Sequence, residues 1–110
     1  CGRNEPFQAG VEGVPWVEIN RGGQATYHGP GQLVAYPIFD LTRHGRDVHI
    51  YLRRLEEVII QTLLFFDVHA YAREGLTGVW LLDEGGSQRK IASVGVGVSK
   101  WVSYHGLALN

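Results

Sequence analysis

From position 47 to 66 the apolar residues Val48, Tyr51, Leu52, Leu55, Val58, Ile59, Leu63 and Phe66, together with Thr62, recur at three- and four-residue steps. Arg53, Arg54, Glu56, Glu57 and Gln61 fall largely between them. That period sets the apolar residues on one side of a helix. Asp47 can accept hydrogen bonds from the open amides of the first turn, and Asp67 stands at the exit. Elsewhere the period changes to two. Residues 14–20 set Val17 and Ile19 against Glu18 behind Pro15, which predicts a half-buried strand. Residues 33–39 predict a second strand, interrupted or held at an edge by Pro37. Residues 78–83 predict a third strand and 84–87 a turn, and 88–98 predict the returning partner, with Ile91, Val94, Val96 and Val98 in a β-rich run. A last strand is expected over 101–110. The order strand, strand, helix, strand, strand, strand predicts an α+β fold, a mostly antiparallel sheet with the helix packed on one face, built as a single domain over 1–110.

Composition narrows the function classes. A chain of 110 residues lies between sizes that bury about 60% and about 70% of their unfolded surface, so a hydrophobic core is within reach. With 45% hydrophobic residues, 19% charged residues and a net charge of −1, nothing in the balance would draw in a phosphate backbone, and nucleic acid is excluded as an expected partner. The outlying figure is 15 glycines, twice the usual share of about 7%. Gathered in motifs, glycine marks backbone that turns sharply or comes close to a ligand. The only cysteine is Cys1, and no long apolar run or basic-then-apolar leader is present, so a reducing cytoplasm and no membrane are the expectation. The chain opens at Cys1-Gly2-Arg3 without Met and stops inside an apolar, strand-like run, which reads as a fragment.

The glycines gather in Arg21-Gly22-Gly23-Gln24-Ala25-Thr26-Tyr27-His28-Gly29-Pro30-Gly31-Gln32. This segment has too many breakers for a regular element, and it sets a guanidinium, a hydroxyl, a phenol and an imidazole among backbone amides free to turn inward. Such a loop can hold a thioester or carboxylate oxygen; it can equally be a surface turn. Neither nucleotide fingerprint, Gly-x-Gly-x-x-Gly nor Gly-x-x-x-x-Gly-Lys-Ser/Thr, occurs in it. Lys90, beside Ile91 and Ala92, reads as a solvated strand lysine or as a partly desolvated group that exchanges protons readily. His28 and His105 both sit in Tyr-His-Gly triplets, a weak case for zinc without a supporting cysteine or paired histidine. Arg43, Arg46, Arg53 and Arg54 could steer an acidic partner or form a solvated helix face, and His44, His49 and His69 show no arrangement with a role.

The twelve residues from Arg21 to Gln32 resemble the signature of the lipoyl(octanoyl) transferases along their whole length. Arg89-Lys90-Ile91-Ala92-Ser93-Val94-Gly95 is similar to that family's catalytic-lysine segment, and Trp101-Val102-Ser103-Tyr104-His105-Gly106-Leu107-Ala108-Leu109-Asn110 resembles the strand that follows it. Gly2-Arg3 agrees as well, although Cys1 stands where an apolar residue is expected. The resemblance implies a biotin/lipoate protein ligase-like catalytic fold, present in part, and a two-step acyl transfer. A cysteine thiolate takes an octanoyl group from octanoyl-acyl carrier protein, and a lysine amine of a lipoyl domain then takes it from the enzyme. The acceptors implied are the lipoyl domains of 2-oxoacid dehydrogenases and the glycine cleavage H protein, and no cofactor or metal is implied. Lys90 is implied as the catalytic partner of the thiolate, lowering its pKa. Acyl-substrate contacts are implied for Arg21, Gly22, Gly23, Gln24, Ala25, Thr26, Tyr27 and His28, for Ser93, Val94 and Gly95, and for Gly106, Leu107 and Ala108. Among these, Val94 and Leu107 are expected to offer apolar wall to the tail. The family's nucleophilic cysteine lies in a Pro-Cys-Gly segment beyond the Leu-Ala-Leu-Asn run, so the 110 residues alone are expected to lack transfer activity. Two rivals differ in chemistry: an ATP-dependent lipoate/biotin ligase-like enzyme, against which Tyr27-His28-Gly29-Pro30-Gly31-Gln32 has the transferase form, and an inactive fragment that binds acyl carrier protein.

Overall fold

The computed structural model describes residues 12–110; Cys1 and the Gly2-Arg3 pair lie outside them. The helix, α1, runs over Val48–Phe65. Asp47 caps its start by accepting from the Ile50 amide at 3.0 Å. At its end Asp67 takes φ +61° while Val68 N donates to Leu63 O and Asp67 N to Leu64 O, both at 2.9 Å. This paired closure is the Schellman arrangement, with Asp67 in the left-handed position usually given to glycine or asparagine. Tyr51, Leu55, Ile59 and Leu63, four residues apart, form the buried stripe. Glu56, which the helical period sets among the polar residues, is buried too, at 1% exposure.

Five strands form one antiparallel sheet: β1 (Leu33–Ala35), β2 (Tyr71–Arg73), β3 (Leu76–Leu82), β4 (Gln88–Ser99) and β5 (Val102–Leu109), in the spatial order β1-β5-β4-β3-β2. The stripe of α1 packs on Val79 of β3 and on Ala92, Val94 and Val96 of β4, with Leu107 and Leu109 of β5 at the margin. Fold class and helix agree with the sequence reading. Among the described residues no helix is long and apolar enough to cross a membrane.

Several strand assignments change. Residues 14–20 form no strand. Alternation needs an apolar face to rest on, and here Val17 is 68% exposed with no strand beside it. The second expected strand is cut to β1, because Pro37 has no amide to give to a ladder. Its carbonyl instead accepts from Ser103 Oγ at 3.0 Å, while Phe39 N donates to that same hydroxyl at 2.9 Å, which satisfies a serine of zero exposure. β5 begins at Val102, since Lys100 and Trp101, at φ +49° and +64°, form the tight turn that pairs Ser99 with Val102. β2 escapes the sequence pattern because three residues are too few to show a period.

Candidate functional site

A strand's alternation gives the sheet two chemically different faces. Ala92, Val94 and Val96 turn toward α1, whereas Ser93, Gly95 and Gly97 turn away from it, next to Tyr104, Gly106 and Ala108 of β5. Onto this second face folds the loop of residues 21–32.

Arg21 shapes that loop. Its Nη1 donates to Gly22 O at 2.8 Å, and its Nη2 donates to Gln24 O at 2.9 Å and to Thr26 Oγ1 at 2.8 Å. Partial burial pulls the guanidinium below its usual pKa range, and the nearby Tyr36 phenol acts in the opposite sense. Gly22 N donates to Val96 O at 3.3 Å and pins the loop to β4. Gly95 leaves the room this requires, since a Cβ there would lie 3.0 Å from Arg21 Nη1 and 3.0 Å from Gly22 O.

The far end of the loop is tied to the end of the sheet through Gln32. Its Nε2 donates to Tyr27 O at 3.1 Å and to Asn110 Oδ1 at 2.8 Å. The Tyr27 carbonyl can only accept, so the Gln32 amide nitrogen must face it, and Oε1 is left facing His28 Nδ1 at 2.7 Å. An amide oxygen cannot donate. The His28 proton therefore sits on Nδ1, and Nε2 of the neutral ring is left as an acceptor.

Loop and sheet together line a small, open hollow. Arg21, Thr26 and His28 line it from the loop, Ser93 and Gly95 from β4, and Gly106, Leu107 and Ala108 from β5. Three sequence segments distant in the chain thus meet in one place. Sequence reasoning missed three further lining residues, Ile19, Tyr36 and His105. Tyr36 and His105 meet edge to face with ring centroids 6.0 Å apart, and His105 takes φ +57°. The repeated Tyr-His-Gly triplet was the only available signal for His105. Its zinc reading gains no third ligand: among the described residues no group of three or more His, Cys, Asp and Glu could hold a metal ion.

Other expected contacts fall elsewhere. Gly22, Gly23, Gln24, Ala25 and Tyr27 are exposed and do not line the hollow; the Tyr27 ring instead lies against Gly29, where a Cβ would come within 2.7 Å of it. Val94 departs more sharply: its side chain is buried in the core beneath α1 and does not line the hollow, whereas Leu107 packs against the same core and lines the hollow as well. Period-two alternation sends every second residue of β4 and β5 to the helix. Lys90 is exposed rather than desolvated, and it stands on β4 opposite Trp80, outside the hollow. Of the basic residues near the helix start, Arg53 is taken up in an ion pair with Glu56 at 2.7 Å, while Arg43 keeps 84% of its side chain exposed.

The profile of the lipoyl protein ligase A/B catalytic domain matches residues 5–110. The chain is 55% identical over 98 residues to the octanoyltransferase of Geobacter metallireducens, an overlap that takes in 89% of this chain and 44% of that protein. It is 51% identical over 104 residues to the octanoyltransferase of Thermosynechococcus vestitus, covering 94% of this chain and 44% of the relative. With the octanoyltransferase of Cytophaga hutchinsonii it shares 56% over 96 residues, 86% of this chain and 39% of that protein. The chain therefore spans about two fifths of the length of these relatives.

Proposed function

The chain belongs to the lipoyl protein ligase A/B catalytic domain family, and from that premise we infer that it forms the acyl-binding part of an octanoyltransferase of lipoate biosynthesis. In this reading a cysteine thiolate, supplied by the family's Pro-Cys-Gly segment, attacks the thioester carbonyl of octanoyl-acyl carrier protein and expels the carrier's thiol. The lysine amine of a lipoyl domain then attacks the acyl-enzyme: the carbon–nitrogen bond forms, the carbon–sulfur bond breaks, and the amine's proton returns to the sulfur. Lipoyl domains of 2-oxoacid dehydrogenases and the glycine cleavage H protein are the acceptors, and a reducing cytoplasm is the setting.

The observation that carries this reading is the meeting of Arg21, Thr26 and His28 with Ser93, Gly95 and Gly106–Ala108 around one hollow. Gly95 and Gly106, lacking side chains, let an acyl group approach the sheet backbone. Ile19, Tyr36 and Ala108 supply apolar lining suited to an alkyl chain. Lys90 acts on the thiolate as a positive charge that favours the ionised sulfur. The intact protein, given octanoyl-acyl carrier protein and a lipoyl domain without ATP, is expected to add one octanoyl group to a single lysine of the domain through a hydroxylamine-sensitive acyl-enzyme. Pyrophosphate release from octanoate and ATP, with no transfer from the carrier, would refute it in favour of a ligase.

A further inference from the structure

The start of β4 gathers features that the hollow does not use. The hairpin register slips between Val79 and Trp80: Val79 stands opposite Ala92, but Trp80 stands opposite Lys90, which leaves Ile91 as an extra residue. Ile91 and Ala92 both pack on the core, so the slip turns Lys90 away from α1 and toward the Trp80 side. Gly78 has φ +128°, a conformation L residues rarely adopt. A Cβ at Gly78 would overlap Lys90 Cε and would lie 3.1 Å from Lys90 Nζ, so the lysine stem runs directly across bare backbone. Behind that backbone, the buried Glu56 accepts from Gly78 N at 2.7 Å.

Trp80 completes the arrangement. Its ring centroid lies 5.4 Å from Lys90 Nζ and 4.9 Å from Arg73 Cζ, both within range of an attraction between a cation and an aromatic face. Its Nε1 is buried and has no hydrogen-bond partner among the described residues. A leucine would fill the position without that cost, so what the tryptophan adds is an aromatic ring face. Among the described ion pairs no carboxylate neutralises Lys90. The ammonium is thus steered by a neutral groove and a π face, and its charge stays available to an anion.

We propose that Gly78 and Trp80 are positioning residues for Lys90, a glycine track and an indole face that hold its ammonium, uncompensated, where it acts on the acyl-accepting thiolate. The proposal rests on the reading of Lys90 given above. It accounts for the register slip, the strained glycine and the orphan indole N–H together.

The test uses the intact enzyme. In the wild type, the ring current of Trp80 shifts the Lys90 Hε resonances upfield, and Trp80→Leu returns them to ordinary lysine positions. Trp80→Leu is expected to slow acyl-enzyme formation by about ten- to a hundredfold, the scale of a small misplacement of a reacting group. The KM for octanoyl-acyl carrier protein stays unchanged, and Trp80→Phe, which keeps an aromatic face, recovers most of the rate. Absence of the upfield shift in the wild-type protein overturns the cradle even if the leucine variant fails to fold. A Trp80→Leu enzyme that acylates at the wild-type rate while Lys90→Ala is inactive overturns the positioning role alone. A Lys90→Ala enzyme at the wild-type rate removes the reading of Lys90 and the cradle with it.

Discussion

Glu56 offers the sharpest test of how α1 is joined to the sheet. Its carboxylate is buried at 1% exposure, with Oε1 accepting from Gly78 N at 2.7 Å and Oε2 from Arg53 Nη1 at 2.7 Å. Glu56→Ala leaves the Gly78 amide buried and unpaired, which costs about 1–3 kcal/mol. The lost side-chain volume at a closed position adds about 1 kcal/mol more. Arg53 contributes little to the loss, because its side chain is 46% exposed and the freed guanidinium returns to water. The expected total is about 2–4 kcal/mol, below the roughly 3–5 kcal/mol of a fully buried pair broken on one side. Glu56→Gln keeps an oxygen for the Gly78 amide and gives up only the charged contact, for about 1 kcal/mol. Glu56→Met fills the space but leaves the amide unpaired, and falls between the two. Urea unfolding at constant m value measures the order Ala, Met, Gln from most to least destabilised. A glutamine variant as unstable as the alanine variant would refute the reasoning, since the backbone amide would then not be what the carboxylate serves.

Three further outcomes follow from the geometry. A Cβ at Gly106 would overlap Ala35 O and lie 2.6 Å from Pro37 Cδ, so Gly106→Ala should loosen β1 at a cost of about 1–3 kcal/mol, seen as faster amide exchange at residues 33–35 than elsewhere in the sheet. In the wild-type protein the nitrogen NMR shifts of neutral His28 should report the proton on Nδ1, and Gln32→Leu should yield a mixture of tautomers; an Nε2-protonated wild type contradicts the Gln32 orientation. The Asp40 carboxyl is held below the ordinary aspartate range, first by the Thr42 hydroxyl and then by the Thr42 amide. A depressed carboxyl contributes stability that is present above its unfolded pKa and is lost as pH falls through the folded value, so its bonds to Thr42 weaken only in acid. Thr42→Val removes the largest cause, and NMR titration of Asp40 should then move up toward the ordinary range.

The helix was legible because its period was long and its ends carried side chains able to cap it. Asp47 and Asp67 both stand where the pattern placed them, though Asp67 closes the helix through backbone conformation rather than through its carboxylate. The β3–β4 hairpin was legible from the β-rich runs on either side of the glycine-containing turn at 84–87. Residues 14–20 misled because alternation records only what a strand could bury, not whether a partner exists, and Pro37 shortened β1 more than its position alone conveyed. Glu56 was misplaced for a related reason: a carboxylate enters a core when a particular amide and guanidinium meet it, and both partners come from other parts of the fold or turn. In the hollow, the motif residues came together, yet the segments conveyed neighbourhood rather than orientation.

Orientation is where the two ends of β4 part company. From Ala92 onward strict alternation holds, which sends Val94 into the core and leaves Ser93 and Gly95 to the hollow. Before Ala92 the same alternation would put Lys90 on the helix side with Ala92, under a core that has no partner for an ammonium. The extra residue, Ile91, reverses the phase, and the reversal depends on Val79 and Trp80 in another strand. A one-residue slip moves a side chain through the whole thickness of a sheet. The chemistry expected of Lys90 therefore depends on a pairing irregularity that no local pattern encodes. Gly78, with its unusual φ, and Glu56, which accepts from the Gly78 amide, stand beside that irregularity, so the role proposed for Lys90 depends on them as well as on the segment that contains the lysine.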